Sequence, residues 1–132
     1  MYTGIVQAML PITIVDKKPG LMSFGLNIPV EMRGGLELGA SVAVNGCCFT
    51  VTEIRDQAVL FDAIAETLDI TNIKYLEQGT EVNVERSAKS DAEVGGHILS
   101  GHIVDVAAVL SIEDTDNIRR LTFQGNGDWM KY

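Results

Sequence analysis

Ser41-Val42-Ala43-Val44-Asn45-Gly46-Cys47-Cys48-Phe49-Thr50-Val51-Thr52 sets Asn-Gly between two β-favouring runs. Both central residues of a type I′ turn need φ > 0, which Asn and Gly tolerate, so Asn45 and Gly46 are expected as the loop of a β-hairpin. The register follows: Val44 opposite Cys47, Ala43 opposite Cys48, Val42 opposite Phe49 and Ser41 opposite Thr50. Side chains alternate across a strand, so Val42, Val44, Cys47, Phe49 and Val51 share one face, and Ser41, Ala43, Cys48, Thr50 and Thr52 share the other. The first set makes a core wall. The second is small and hydroxylated and carries a thiol, a platform for a flat, polar molecule.

Working outward, Thr3 to Gln7 is a short β-prone run, and Leu10 to Val15 is another, with Pro11 near its start where a strand tolerates it. Met22, Phe24, Leu26 and Ile28 alternate with Ser23, Gly25 and Asn27, the period of a half-buried strand. Pro29 to Met32 suits one helical turn ended by Gly34-Gly35. Beyond the hairpin, the chain turns around Asp56 and returns as a strand over Ala58 to Ile64, and Glu81 to Arg86 alternates again. The best helix candidate is Glu66 to Ile73, short and weakened by β-branched residues, with Ile64, Leu68 and Ile73 as its inward side. About six short strands with one short helix point to an all-β barrel or sandwich; the order of elements favours a barrel, since closure removes exposed edges.

An offset of 97 residues relates Thr3-Gly4 to Ser100-Gly101, Val6 to Ile103, and Phe24 and Leu26 to Leu121 and Phe123; at 98, Met32 meets Met130. The chain therefore divides into one whole barrel over 1–94 and the first strands of a second, incomplete copy over 95–132. Strands over Ile103 to Leu110 and Arg120 to Phe123 are expected to lack partners, so they either pair with another copy of the chain or belong to a fragment of something longer.

The 132 residues, 46% hydrophobic and 21% charged, suit one soluble domain with its own core. A formal net charge of −8 without a basic run argues against a nucleic-acid grip. No apolar run approaches the ~18 residues of a spanning helix, and Met1-Tyr2-Thr3-Gly4 lacks the charged start of a signal peptide, so no membrane association is expected. The two cysteines adjoin, where a bridge is strained, and are expected as free thiols in a cytoplasmic protein.

Cys47 falls on the core face and Cys48 on the polar face; a cysteine there is either a small packing residue or a working thiol. His97 and His102 are five apart, so a continuous strand points them oppositely, and no metal site is expected. His102 suits proton transfer or hydrogen bonding, and equally a solvated surface position. Thr67, where a strand enters a helix, either caps the helix or binds a ligand.

Met1 to Gln7, Gly39 to Glu53, Phe61-Asp62, Glu66-Thr67-Leu68, Val82 to Arg86 and Gly95 to Ile103 together resemble the N-terminal half of riboflavin synthase, in order and at the family's spacing. The resemblance implies tandem six-stranded Greek-key barrels, a homotrimer, and transfer of a four-carbon unit between two molecules of 6,7-dimethyl-8-ribityllumazine. The products are riboflavin and 5-amino-6-ribitylamino-pyrimidinedione, made without metal or cofactor. It places Ser41, Thr50, Asp62, Ile64 and Thr67 around the ring and ribityl chain, Cys48 and His102 near the reacting carbons, and Thr3 and Val6 as walls. Tyr2 stands in place of the usual Phe, Val44 of the common His and Ala65 of a frequent Lys. The alternative function is a lumazine- or flavin-binding protein without turnover.

Overall fold

The computed structural model describes residues 1–89 and 95–129. Six antiparallel strands close into a barrel in the order β1-β2-β5-β4-β3-β6. They are β1 (Ala8–Lys18), β2 (Leu21–Asn27), β3 (Ser41–Val44), β4 (Cys47–Arg55), β5 (Ala58–Ile64) and β6 (Glu81–Arg86). Hairpins join β3, β4 and β5 in turn, while the long connection from β2 to β3 brings β2 beside β5, which is a Greek key. That connection holds α1 (Val30–Arg33), begun by Pro29 and ended at Gly34.

The central hairpin has the expected register, Ser41↔Thr50 through Val44↔Cys47, with Asn45 at φ 49° and Gly46 at φ 80°. Asn45 also ties the tip to β6: its amide donates to the Asn83 carbonyl (2.8 Å), and its Oδ1 accepts from the Asn83 amide (2.9 Å). Val42, Val44, Cys47, Phe49 and Val51 are buried, and Phe24, Phe49 and Phe61 meet in the core with ring centroids 5.0–6.2 Å apart. Ala43 departs from the alternation. It is buried although it faces outward, because Tyr2 and the Leu99–Gly101 segment lie beside it.

Two further expectations change. Thr3 to Gln7 forms no strand, and β1 begins at Ala8; Gly4 has φ 78°, and the Thr3 and Gly4 amides donate to the Glu85 carboxylate at 2.6 and 3.1 Å instead of joining a ladder. The helix expected over Glu66 to Ile73 is two pieces, α2 (Ala65–Asp69) and a 3-10 turn (Asn72–Tyr75). Thr71 separates them, donating to the Thr67 carbonyl (2.6 Å) and accepting from the Ile73 amide (3.2 Å). Ile73 is buried and Leu68 packs on the core, but Ile64 is 56% exposed.

Beyond the barrel, β7 (Ala108–Thr115) and β8 (Ile118–Gln124) pair with each other, so they are not the unpaired strands expected, and Ile103 packs against the barrel core outside any strand. The β7/β8 register repeats that of β1/β2 at the offset of 97. Ile12↔Leu26, Val15↔Phe24 and Lys18↔Leu21 recur as Val109↔Phe123, Ile112↔Leu121 and Thr115↔Ile118, and the bulge between Ile12 and Ile14 recurs between Val109 and Ser111. Tyr2 and Leu99, equivalent at that offset, bridge each other through both amides at 2.8 and 2.9 Å. The Met32–Met130 match and the 94/95 boundary touch positions 90–94 and 130–132, outside the described residues.

Candidate functional site

β4 and β5 pair from Val51↔Phe61 to Arg55↔Ala58, leaving Cys47–Thr50 and Asp62–Ile64 beyond the paired stretch. At this end of the barrel the chain between Leu99 and Ile103 crosses the mouth. The Cys48 amide donates to the Gly101 carbonyl (2.8 Å), and Ile103 packs against the core. Only a residue without Cβ fits there: Gly101 has φ 77°, and a Cβ would lie 2.9 Å from both Cys48 Cβ and Tyr2 Cε2.

Cys48, Thr67 and His102 line one cavity of about 210 Å³, together with Glu66 and Gly101. Its walls Cys47, Ile70, Thr71 and Ile103 also line an adjoining cavity of about 260 Å³, so the groove continues along the segment after α2. Beside the mouth runs a polar row on the outer face. Ser41 is opposite Thr50 and Ser23 is opposite Asp62; the β4/β5 register, continued by one residue, sets Thr50 next to Asp62. Ser23 donates to the Asp62 carboxylate at 2.6 Å. Ile64, exposed at the start of α2, stands beside this row.

Thr3 and Val6 lie elsewhere. The Thr3 hydroxyl donates to Glu85 (2.7 Å) and lines a cavity of about 560 Å³, which Arg86, Lys89 and Gly95 also border. Val6 lines a cavity of about 280 Å³ with Tyr2, Ala43 and Leu99. The Thr3 cavity is the larger of the two, but it holds none of the other predicted site residues. The convergence of Cys48, Thr67 and His102 is the stronger argument. His97 is separate from His102, its amide donating to the Thr3 carbonyl (3.0 Å).

Sequence reasoning missed Tyr2, Glu85 and Gly101. Tyr2 is 2% exposed and donates its hydroxyl to Cys48 Sγ (3.1 Å). Burial, then the Cys48 contact, raises its phenol well above the ordinary range, so it stays a donor. Glu85 is 7% exposed, and its three bonds from Thr3 and Gly4 anchor the segment that carries Tyr2. The available signal was the repeat, since Gly4 and Gly101, equivalent at the offset of 97, both have positive φ.

Burial pushes the Cys47 thiol from its ordinary 9.0 up to about 11, and the adjacent Cys48 acts in the same direction. The folded chain keeps this proton at pH values where the unfolded chain releases it. Stability is therefore intact below pH 9 and falls as the pH rises from about 9 to about 11, with Tyr2 adding to the loss above its ordinary 10.0. Urea midpoints should decline across that window and decline less in Cys47→Ala; midpoints unchanged from pH 8 to 11 would contradict this.

Among the described residues, no group of three or more His, Cys, Asp and Glu side chains is arranged to hold a metal ion, and no helix is long and apolar enough to cross a membrane. Both cysteines are free.

Residues 3–87 match the family model described as lumazine binding domain. The riboflavin synthase of Escherichia coli (strain K12) is 47% identical over 133 residues, covering 100% of this chain and 62% of that protein, so the chain spans under two thirds of that relative's length. LumP in complex with riboflavin superposes with a TM-score of 0.84 at 28% identity, covering 99% of this chain and 71% of LumP. LumP in complex with 6,7-dimethyl-8-(1'-D-ribityl) lumazine gives 0.82 at 30% identity, covering 97% and 71%. With a closed barrel over the matched residues and a groove at its mouth, the chain belongs to the lumazine binding domain family.

Proposed function

We propose that this chain supplies the N-terminal, lumazine-binding half-site of a riboflavin synthase. The observation that carries the reading is the meeting of Cys48, Thr67 and His102 in one groove, in a chain 47% identical to the E. coli enzyme. Two lumazines would react, one giving a four-carbon unit to the other, to form riboflavin and the ribitylamino-pyrimidinedione. The acidic 7-methyl group and the electron-accepting ring of the substrate supply the chemistry, so neither metal nor cofactor enters. Ser41, Thr50 and Asp62 would hold polar edges of the ring and ribityl chain, with Ile64 and Thr67 completing that side. Cys48 and His102 would face the reacting carbons and handle protons. Holding two rings in register supplies most of the acceleration, and proton transfer a further factor of roughly 10²–10⁴. Thr3 and Val6 would then wall neighbouring space and not this groove.

In this reading 1–94 is the lumazine-binding barrel and 95–132 begins a second copy, supported by the duplicated β1/β2 register. Self-association follows from the exposed apolar residues of β7 and β8, among them Leu110, Ile112 and Phe123, and a cytoplasmic setting from the two free thiols.

The test is a fluorescence titration with riboflavin and 6,7-dimethyl-8-ribityllumazine, followed by a search for riboflavin formed from the lumazine. Binding near micromolar Kd, worth roughly 8 kcal/mol, is expected with both ligands, and little turnover from these 132 residues alone. A flat titration sinks the reading; turnover at a full enzyme's rate sinks the half-site. Light scattering at high concentration should give a species above 14.3 kDa, against which a strict monomer would count.

A further inference from the structure

Tyr2 is fixed on several sides. Its amide and carbonyl pair with Leu99, its ring lies against Gly101, and the next two residues are held by the Glu85 carboxylate. A buried phenol needs a hydrogen-bond partner, and here it donates to a thiol, a weak acceptor, at 3.1 Å. The phenol and the thiol thus form one directed pair, Tyr2 to Cys48.

The direction matters at its end. A thiol has one hydrogen, and a sulfur that accepts from Tyr2 keeps that hydrogen free to donate. Cys48 also lines the groove with Thr67 and His102. The equivalent of Tyr2 at the offset of 97 is Leu99, which has no hydroxyl, so this wiring belongs to the first barrel.

We infer that the Tyr2 hydroxyl is a positioning residue: by donating to Cys48 Sγ it presents the thiol S–H to the groove, where it donates to a carbonyl or ring-nitrogen acceptor of a heteroaromatic ligand. This inference rests on the lumazine-binding reading above. It assigns Cys48 a ring-recognition role, which removal of the Tyr2 hydroxyl weakens without altering the groove's shape.

The experiment is a double-mutant cycle read by fluorescence titration with riboflavin and with 6,7-dimethyl-8-ribityllumazine, with thermal melting of each variant. Tyr2→Phe should weaken binding by about five- to tenfold. The same loss should appear on a Cys48→Ser background, because a serine hydroxyl also accepts and donates, and shrink to under about twofold on Cys48→Ala. No loss in Tyr2→Phe, or an equal loss on all backgrounds as simple packing would give, overturns the inference while leaving the reading of the groove intact. Failure of the unsubstituted chain to bind either ligand overturns both. Should Tyr2→Phe fail to fold, Cys48→Ser and Cys48→Ala decide: serine is expected within about threefold of the unsubstituted chain and alanine well below it, and equal losses overturn the inference.

Discussion

Gly101→Ala is expected to lower ligand affinity at least about a hundredfold while the barrel still folds. Two costs fall on this position. The backbone sits at φ 77°, where a residue with a Cβ is strained by about 1–2 kcal/mol. The new methyl would also stand 2.9 Å from Cys48 Cβ and from Tyr2 Cε2. Neither neighbour moves freely, since Cys48 is in β4 and Tyr2 is clamped through Leu99 and Glu85. The chain across the mouth must therefore lift, taking with it the Gly101 carbonyl that accepts from the Cys48 amide and the walls His102 and Ile103. Gly46→Ala separates the two costs: Gly46 has φ 80° but nothing within 4 Å of a Cβ. It should lose about 1 kcal/mol of stability and keep its affinity. Amide exchange at Cys48 should quicken in Gly101→Ala alone. Matching affinities in the two variants would refute this account of the mouth.

Phe24→Ala should cost about 3–5 kcal/mol. Phe24 is 0% exposed and touches both other core rings, Phe49 edge-on at 5.0 Å and Phe61 at 5.5 Å. Its removal leaves a cavity among β-strands locked by barrel closure, which collapse poorly around it. Against a typical total of about 5–15 kcal/mol, that loss is a large fraction. The repeat provides the control. Leu121 occupies the same register position in β8 but is 45% exposed, because none of the barrel's strands covers it. Leu121→Ala should change stability by no more than about 0.5 kcal/mol, and urea denaturation of both variants checks the contrast. Comparable losses would mean that β7/β8 is buried in solution, as self-association predicts at high concentration, so the comparison belongs at low concentration.

The hairpin was legible because two local rules agree at Asn45-Gly46, the demand for positive φ and the two-residue alternation that sorts Val42 from Ser41. The barrel strands followed from the same alternation, and the offset of 97 pointed at Phe24, Leu26, Leu121 and Phe123 before any register was known. Thr3 to Gln7 misled because β propensity says nothing of a carboxylate 81 and 82 residues away from Gly4 and Thr3: Glu85 takes the amides that a neighbouring strand would have taken. Cys48 and Thr67 were legible as site candidates from their faces and positions, and the groove joins them with His102. Thr3 and Val6 could not be assigned to a cavity from sequence, since that depends on where the chain from Gly95 to Ile103 crosses the barrel. The same crossing buries Ala43 and makes Gly101 and Tyr2 structural necessities.

The most direct measurement is a set of amide chemical-shift maps of the isotope-labelled chain with increasing 6,7-dimethyl-8-ribityllumazine. The account predicts saturable shifts centred on Cys48, Thr50, Asp62, Ile64, Thr67, Gly101 and His102. Shifts centred instead on Thr3, Arg86 and Lys89, around the larger cavity, or no shifts at all, would contradict it.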